Sequence, residues 1–289
     1  MASTKSEGRM APGAGNEPLS LGLLRDKAQQ LRRNMLVQAA GKGQGYLGQG
    51  LGIAEFLTVL YYHEMNFDPA APHDPARDRF YLSTGHYSIA LWAVLADLGI
   101  VPMESPPSYG ADGSPLEMST IEGHVPGVEM TGGSLGHGLG IATGAALGLR
   151  LQKSPARVFV EISDGELQEG STWEAATAAA SFGLDNLTCF IDCNGIQADG
   201  ALVVQIEPVA DKWRAFGWEV SEIDGNSLEQ LIGAMAWARS PTGRPKAIVL
   251  RTKPGKGIPR LEAREQAHFI RVDADEWDAI REELETANV

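Results

Sequence analysis

The chain reads as an α/β protein, a parallel sheet with helices on both faces. Three observations predict it. Short apolar runs rich in β-branched residues alternate with segments of helical spacing through most of the 289 residues. Two of these runs, residues 157–162 and 187–191, release polar, glycine-bearing turns: Ser163-Asp164-Gly165-Glu166-Leu167-Gln168-Glu169-Gly170 and Asp192-Cys193-Asn194-Gly195-Ile196. The stretch between Asp164 and Asn194 suits one crossover helix and the next strand, which makes the pair a βαβ unit. Ligands of open α/β sheets bind at that strand-end edge.

The other elements follow in chain order. Residues 1–18 are rich in Gly, Ser, Ala and Pro without a hydrophobic core region, and read as a disordered leader rather than a secretory signal. Residues 19–289 are expected to form one domain. A helix is predicted over 21–40, with Arg25, Lys27, Arg32 and Arg33 on a solvated face. Residues 41–50 are too glycine-dense for a helix interior and predict an ordered loop leading into a helix at 53–62. A short buried strand at 80–83 runs into Thr84-Gly85-His86 and a helix at 88–98. The segment 101–127, full of Pro, Gly and Ser, predicts a long irregular connection of the kind that usually serves a function.

Thr131-Gly132-Gly133-Ser134-Leu135-Gly136-His137-Gly138 opens a small-residue helix at 139–151. Glycines at a helix start let backbone N–H groups approach an anion, which the helix dipole favours. Beyond Asn194 come a helix at 210–216, a strand at 218–223, a helix at 227–238 and a strand at 246–252. An acidic helix at 273–288 closes the chain, with Trp277, Ile280 and Leu284 on one face.

Composition narrows the partners. With 24 basic and 37 acidic residues the net charge is −13, which argues against nucleic acid and anionic membrane. No apolar run approaches the ~20 residues of a spanning helix. The two cysteines, Cys189 and Cys193, fall on one predicted strand with Cα atoms ~13 Å apart, too far for a disulfide. Reduced core cysteines fit a cytoplasmic setting.

Asp164 offers a carboxylate and Asn194 a side-chain carbonyl. Hard oxygen donors of this kind suit Mg²⁺ or Ca²⁺, and Mg²⁺ is usually completed by phosphate oxygens and water. The unit therefore reads as a metal–diphosphate clamp. Asp164-Gly165, the intervening helix and Asn194 resemble the thiamine diphosphate (ThDP) motif. Leu167-Gln168-Glu169-Gly170 and the later Ala210-Asp211-Lys212-Trp213-Arg214-Ala215-Phe216-Gly217-Trp218 narrow the resemblance to the transketolase family.

That resemblance implies a set of roles. Asp164, Asn194 and the Ile196 carbonyl would hold the metal. Gly133, Ser134, Leu135, Gly165, Glu166, Asn194 and His86 would bind ThDP. His86, in Ser83-Thr84-Gly85-His86, matches the family's Ser-x-Gly-His word. His124 matches the histidine facing the donor's hydroxymethyl group, and His268 the one near the reacting carbonyl. Neutral imidazole suits such work, because near pH 7 it both donates and accepts a proton. Glu169 and Glu174 would belong to a carboxylate network linking two cofactor sites, and His137 stands near the diphosphate. His63 and His73 read as structural or surface residues.

Two departures qualify the match. Where transketolases carry Gly-His, this chain has Gly45-Tyr46, so a phenol replaces an imidazole at the substrate position and acceptor handling is expected to differ. The resemblance also covers only the diphosphate-binding half: nothing after His268 is expected to form the pyrimidine-binding domain. The chain thus resembles the N-terminal subunit of a split transketolase, inactive alone and joined to a pyrimidine-domain subunit in an α2β2 complex, acting on sugars or sugar phosphates. The competing readings are a subunit of a 2-oxo-acid dehydrogenase or deoxyxylulose-phosphate synthase-like enzyme, and a non-catalytic ThDP- or nucleotide-binding module.

Overall fold

The computed structural model describes residues 19–287 except Met103 and Asp199, so the leader expected over 1–18 lies outside the described residues. Helix α1 (Leu21–Lys42) starts where the Ser20 hydroxyl accepts from the Leu23 N–H, and stops at Gly43, whose left-handed backbone sends its N–H to Ala39 O. A two-residue strand β1 (Gln44–Gly45) leads into α2 (Leu47–Gly52) and α3 (Ala54–Val59), which ends in a single wide turn, Leu60–Glu64. Strand β2 (Arg79–Leu82) is followed by α4 (Ser88–Asp97), the long irregular connection and α5 (Gly138–Leu151).

Strand β3 (Val158–Ser163), helix α6 (Gly170–Ser181) and strand β4 (Leu187–Cys193) make the expected βαβ unit. A tight hairpin, β5 (Ile196–Gln197) with β6 (Gly200–Ala201), precedes α7 (Val209–Ala215), β7 (Glu219–Asp224), α8 (Leu228–Ala238) and β8 (Lys246–Arg251). A short α9 (Pro259–Glu262), β9 (Ile270–Arg271) paired antiparallel with β1, and α10 (Trp277–Thr286) complete the described fold.

The central sheet is wholly parallel in the order β2-β3-β4-β8-β7. Its alternating residues feed two cores, as helices on both faces require. Val158, Val160, Ile162, Cys189 and Ile191 pack under α5, α6 and α7. Phe159, Phe190, Ile248 and Leu250 pack under α1, α3, α4 and α8, where Trp277, Ile280 and Leu284 of α10 are also buried. Cys189 and Cys193 are free and buried on β4, as their spacing predicts.

Two expectations are corrected. The glycine-dense stretch is not all loop, because Leu47–Gly52 is helical. A Cβ on Gly48 would stand 2.2 Å from the Ala267 carbonyl oxygen, and one on Gly50 2.7 Å from Ile89 Cγ2. Backbone-close packing against neighbours thus offsets the entropic cost that disfavours glycine in a helix. The basic face of α1 is not merely solvated either. Lys27 pairs with Asp97, Arg33 with Glu285 and Arg25 with Glu229, while Arg32 is buried against Glu55 at 2.5 Å.

Arg32 Nε also donates to the Lys256 carbonyl, and Asn226 Nδ2 to the second Glu55 oxygen, so both charges are hydrogen-bonded. Breaking such a pair strands a buried charge. Glu55→Ala should lose about 3 kcal/mol of stability in urea unfolding at pH 7, by the same principle; a loss below ~1 kcal/mol would show that the pair is solvated in practice.

Candidate functional site

A cavity of about 650 Å³ opens at the carboxyl edge of the sheet. That volume suits a small-molecule ligand. Its walls come from four places in the chain: Tyr46 before α2, His86 after β2, Gly133 and Leu135 of the loop before α5, and Gly165 and Ile196 after β3 and β4. His268, before β9, closes one side.

Both strand-end turns are fixed by hydrogen bonds beneath this cavity. The Asp164 carboxylate is buried and accepts from the Gly165 N–H at 2.8 Å and the Gly195 N–H at 2.7 Å, which ties the β3 turn to the β4 turn. The Asn194 carbonyl oxygen accepts from the Ile196 N–H at 3.0 Å. Its amide nitrogen donates to the Tyr87 hydroxyl and to Asp192 Oδ2, each at 2.8 Å. Tyr87 donates to the same Asp192 oxygen at 2.8 Å, and the Thr252 hydroxyl donates to the other.

The glycine loop is held from below. Glu166 accepts from the Ser83 hydroxyl at 2.6 Å and from the Gly136 N–H at 2.8 Å, and Ser83 Oγ in turn accepts from the Gly138 N–H. A Cβ on Gly138 would lie 2.3 Å from Ser83 Cβ, and one on Gly136 2.8 Å from Glu169 Cβ. Glycine therefore allows the start of α5 to sit directly on the sheet edge.

The electrostatics follow from burial. Desolvation, followed by the nearby Asp192 carboxylate, pushes Asp164 up to about 7 against the lowering effect of its two N–H donors. Desolvation also pushes Glu166 up to about 7. Asp192 is raised by burial and held back by Thr252, Tyr87 and Asn194. Burial lowers His86 to about 3, helped by His268, and lowers His268 as well. Both rings are therefore neutral at physiological pH. They stack at 5.3 Å, and the Tyr46 ring meets them edge-on at 4.9 Å and 5.5 Å.

Most residues singled out in the sequence converge here, with exceptions that have physical causes. His124 does not line the cavity. The Thr120 N–H bonds Gly85 O and the Gly132 N–H bonds Thr120 O, so residues 121–131 form an outward excursion that leaves His124 exposed. The Glu166 side chain faces the loop rather than the cavity, because Ser83 and Gly136 engage it. Glu169 lies exposed on the rim and Glu174 on the outer face of α6; Ser134 and His137 are also exposed, while Leu135 and Gly133 line the wall.

Sequence reasoning missed Asp192, Tyr87 and Ser83. An acid ending an otherwise apolar strand was the available signal for Asp192. Gln168 and Gln197 were missed too: they line the cavity and hydrogen-bond each other at 2.8 Å.

The donor set fits a hard divalent ion. Asp164 supplies a carboxylate that burial leaves short of solvation, Asn194 an amide oxygen and Ile196 a backbone carbonyl on the cavity wall. These are oxygen ligands alone, which suit Mg²⁺ or Ca²⁺. With a glycine-led helix start facing them, fold and site define an α/β domain that clamps a diphosphate group. The chain belongs to the transketolase family, whose thiamine diphosphate binding domain matches residues 25–288.

It is 48% identical to an uncharacterised transketolase family protein of Sinorhizobium fredii, over 89% of this chain and 94% of that one. It is 38% identical to the 6-deoxy-6-sulfo-D-fructose transketolase subunit of a Clostridium species, over 91% and 96%. Among solved structures, transketolase from Campylobacter jejuni superposes with a TM-score of 0.85 at 27% identity, over 94% of this chain and 44% of that longer one. The chain is thus the N-terminal part of a transketolase-type transferase. Among the described residues, no helix is long and apolar enough to cross a membrane.

Because His86 is neutral when folded, unfolding takes up a proton between pH 6.5 and about 3. The contribution is fully present above pH 6.5 and is lost as pH falls. Between pH 6.5 and 5 it should amount to about 1 kcal/mol, less than full burial would give because the ring faces the open cavity. Denaturant unfolding at several pH values checks this: His86→Gln should flatten the acid slope, and an unchanged slope would place His86 in solvent.

Proposed function

We propose that this chain is the diphosphate-binding subunit of a two-chain, ThDP- and Mg²⁺-dependent transketolase that moves a two-carbon ketol unit from a ketose to an aldehyde. The observation that carries the reading is the Asp164–Gly195 hydrogen bond, which fixes the two predicted metal-binding turns side by side under the cavity. The partner would be a pyrimidine-domain subunit in an α2β2 assembly. Relatives of similar length that are themselves transketolase subunits support this, including the one specific for apulose 4-phosphate in Actinobacillus succinogenes, 36% identical over 92% of this chain and 97% of that one. Residues 19–289 would act as one domain in the cytoplasm.

In this reading Asp164, Asn194 and the Ile196 carbonyl hold the metal, and Gly133, Ser134, Leu135, Gly165 and Glu166 surround the diphosphate, Glu166 by fixing the glycine loop. Bound ThDP supplies the carbon nucleophile and electron sink for the two-carbon unit. The chain's own residues position and protonate. Neutral His86 and His268 offer a donor or an acceptor to the reacting oxygens without placing a cation there. Tyr46 borders the acceptor. His124 would meet the donor's terminal hydroxyl from its excursion in the assembled enzyme, and Glu169, on the rim, would couple the paired cofactor sites.

Calorimetry and assay of the co-expressed pair test the proposal. The pair should bind ThDP and Mg²⁺ and transfer ketol units, and this chain alone should not turn over. Asp164→Ala should weaken ThDP–Mg²⁺ binding by about tenfold or more, through loss of a charged ligand opposite the diphosphate. Unchanged affinity would sink the metal assignment.

Tyr46 bears on the substrate. Tyr46→His in the same pair should raise activity with ordinary pentose phosphates relative to the native substrate. No change with any sugar would make Tyr46 a packing residue.

A further inference from the structure

Glu161 is a buried ionisable group that the clamp does not use. It sits in β3, on the same face as Phe159, with no solvent exposure. Its Oε2 is hydrogen-bonded to the Thr84 hydroxyl, and its Oε1 has no partner. An apolar side chain there would pack beside Phe159 and Phe190 without the desolvation cost of a carboxyl. The one bond it makes reaches the segment that carries His86.

We propose that Glu161 is a positioning residue: its carboxyl clamps Thr84 and so fixes the turn at 83–87 that sets His86 on the cavity wall and Tyr87 over Asp192. The inference rests on the reading of His86 as part of the reactive wall.

Thr84 is the base of that turn, since its carbonyl accepts from the Tyr87 N–H at 2.7 Å. The turn is also a hub. The Gly133 N–H bonds Ser83 O at 2.9 Å, the Thr120 N–H bonds Gly85 O at 3.2 Å, and a Cβ on Gly85 would lie 2.3 Å from the Gly132 backbone. A shift at Thr84 is therefore passed to the glycine loop and to residues 117–132 as well as to His86. Burial, and then the Asp192 carboxylate, hold Glu161 well above the usual carboxylate range, so it acts as a neutral acid and adds no second charge beside Asp192. A neutral hydrogen-bonding group of this shape is what Gln would also provide.

Amide exchange and histidine-ring NMR on the full chain without cofactor test the clamp independently of ThDP binding, so failure here is distinct from failure of the metal assignment. Glu161→Gln should keep the Gly85 and Tyr87 amides within about twofold of wild-type exchange. Glu161→Leu should speed both by about tenfold, the scale of one lost hydrogen bond, leave β8 amides unchanged, and let His86 titrate nearer its ordinary value. Wild-type rates in Glu161→Leu, equal acceleration in β8, or a Gln variant as loose as the Leu one would overturn the proposal. If Glu161→Leu does not fold, Thr84→Val cuts the same bond at nearly constant volume. Loosening of the same two amides there supports the clamp, and unchanged exchange refutes it.

Discussion

The carboxylate of Asp192 holds three strand ends together. One oxygen accepts from Tyr87 and Asn194, the other from Thr252, so the turn after β2, the end of β4 and the end of β8 meet on a single buried charge. A lone buried carboxylate would be costly, and three donors make it tolerable. Its charge then raises Asp164 next door, the group best placed to receive a cation. The cavity floor is thus preorganised by hydrogen bonds before any ligand arrives, which spares a ligand the cost of ordering it.

Backbone proximity is the second constraint. Gly48, Gly85, Gly132 and Gly138 each stand where a Cβ would meet another atom at 2.6 Å or less. They let α2, the turn carrying His86 and the start of α5 approach closely enough for short loops to place their groups on one cavity. Glycine serves here less for a special backbone angle than for the absence of volume.

The βαβ clamp was legible in the sequence because its signal is local: an apolar strand, an acidic or amide-bearing turn, then a helix of fitting length. Both cores and the parallel order follow from strand periodicity in the same way. What escaped depends on tertiary contact. The helicity of Leu47–Gly52 is set by packing on Ala267 and Ile89, which no local propensity encodes. Arg32 lies on a basic helix face indistinguishable in sequence from a solvated one, and only Glu55 opposite makes it a core residue. His124 has the right neighbours in sequence, yet the hydrogen bonds of Thr120 and Gly132 turn its loop outward.

The wall above this floor has a chemical character of its own. Tyr46, His86 and His268 place three aromatic rings within 5.5 Å of one another, and burial keeps both imidazoles neutral. Exposed arginines and lysines are spent on carboxylates elsewhere, as Arg251 is on Glu207 and Glu222. The cavity is therefore divided by height: anionic oxygens and inward N–H groups below, neutral hydrogen-bonding rings above. A substrate seated against the upper wall meets groups that orient and exchange protons without fixing its charge. The permanent charges are confined to the depth where a diphosphate and its counter-ion would neutralise each other.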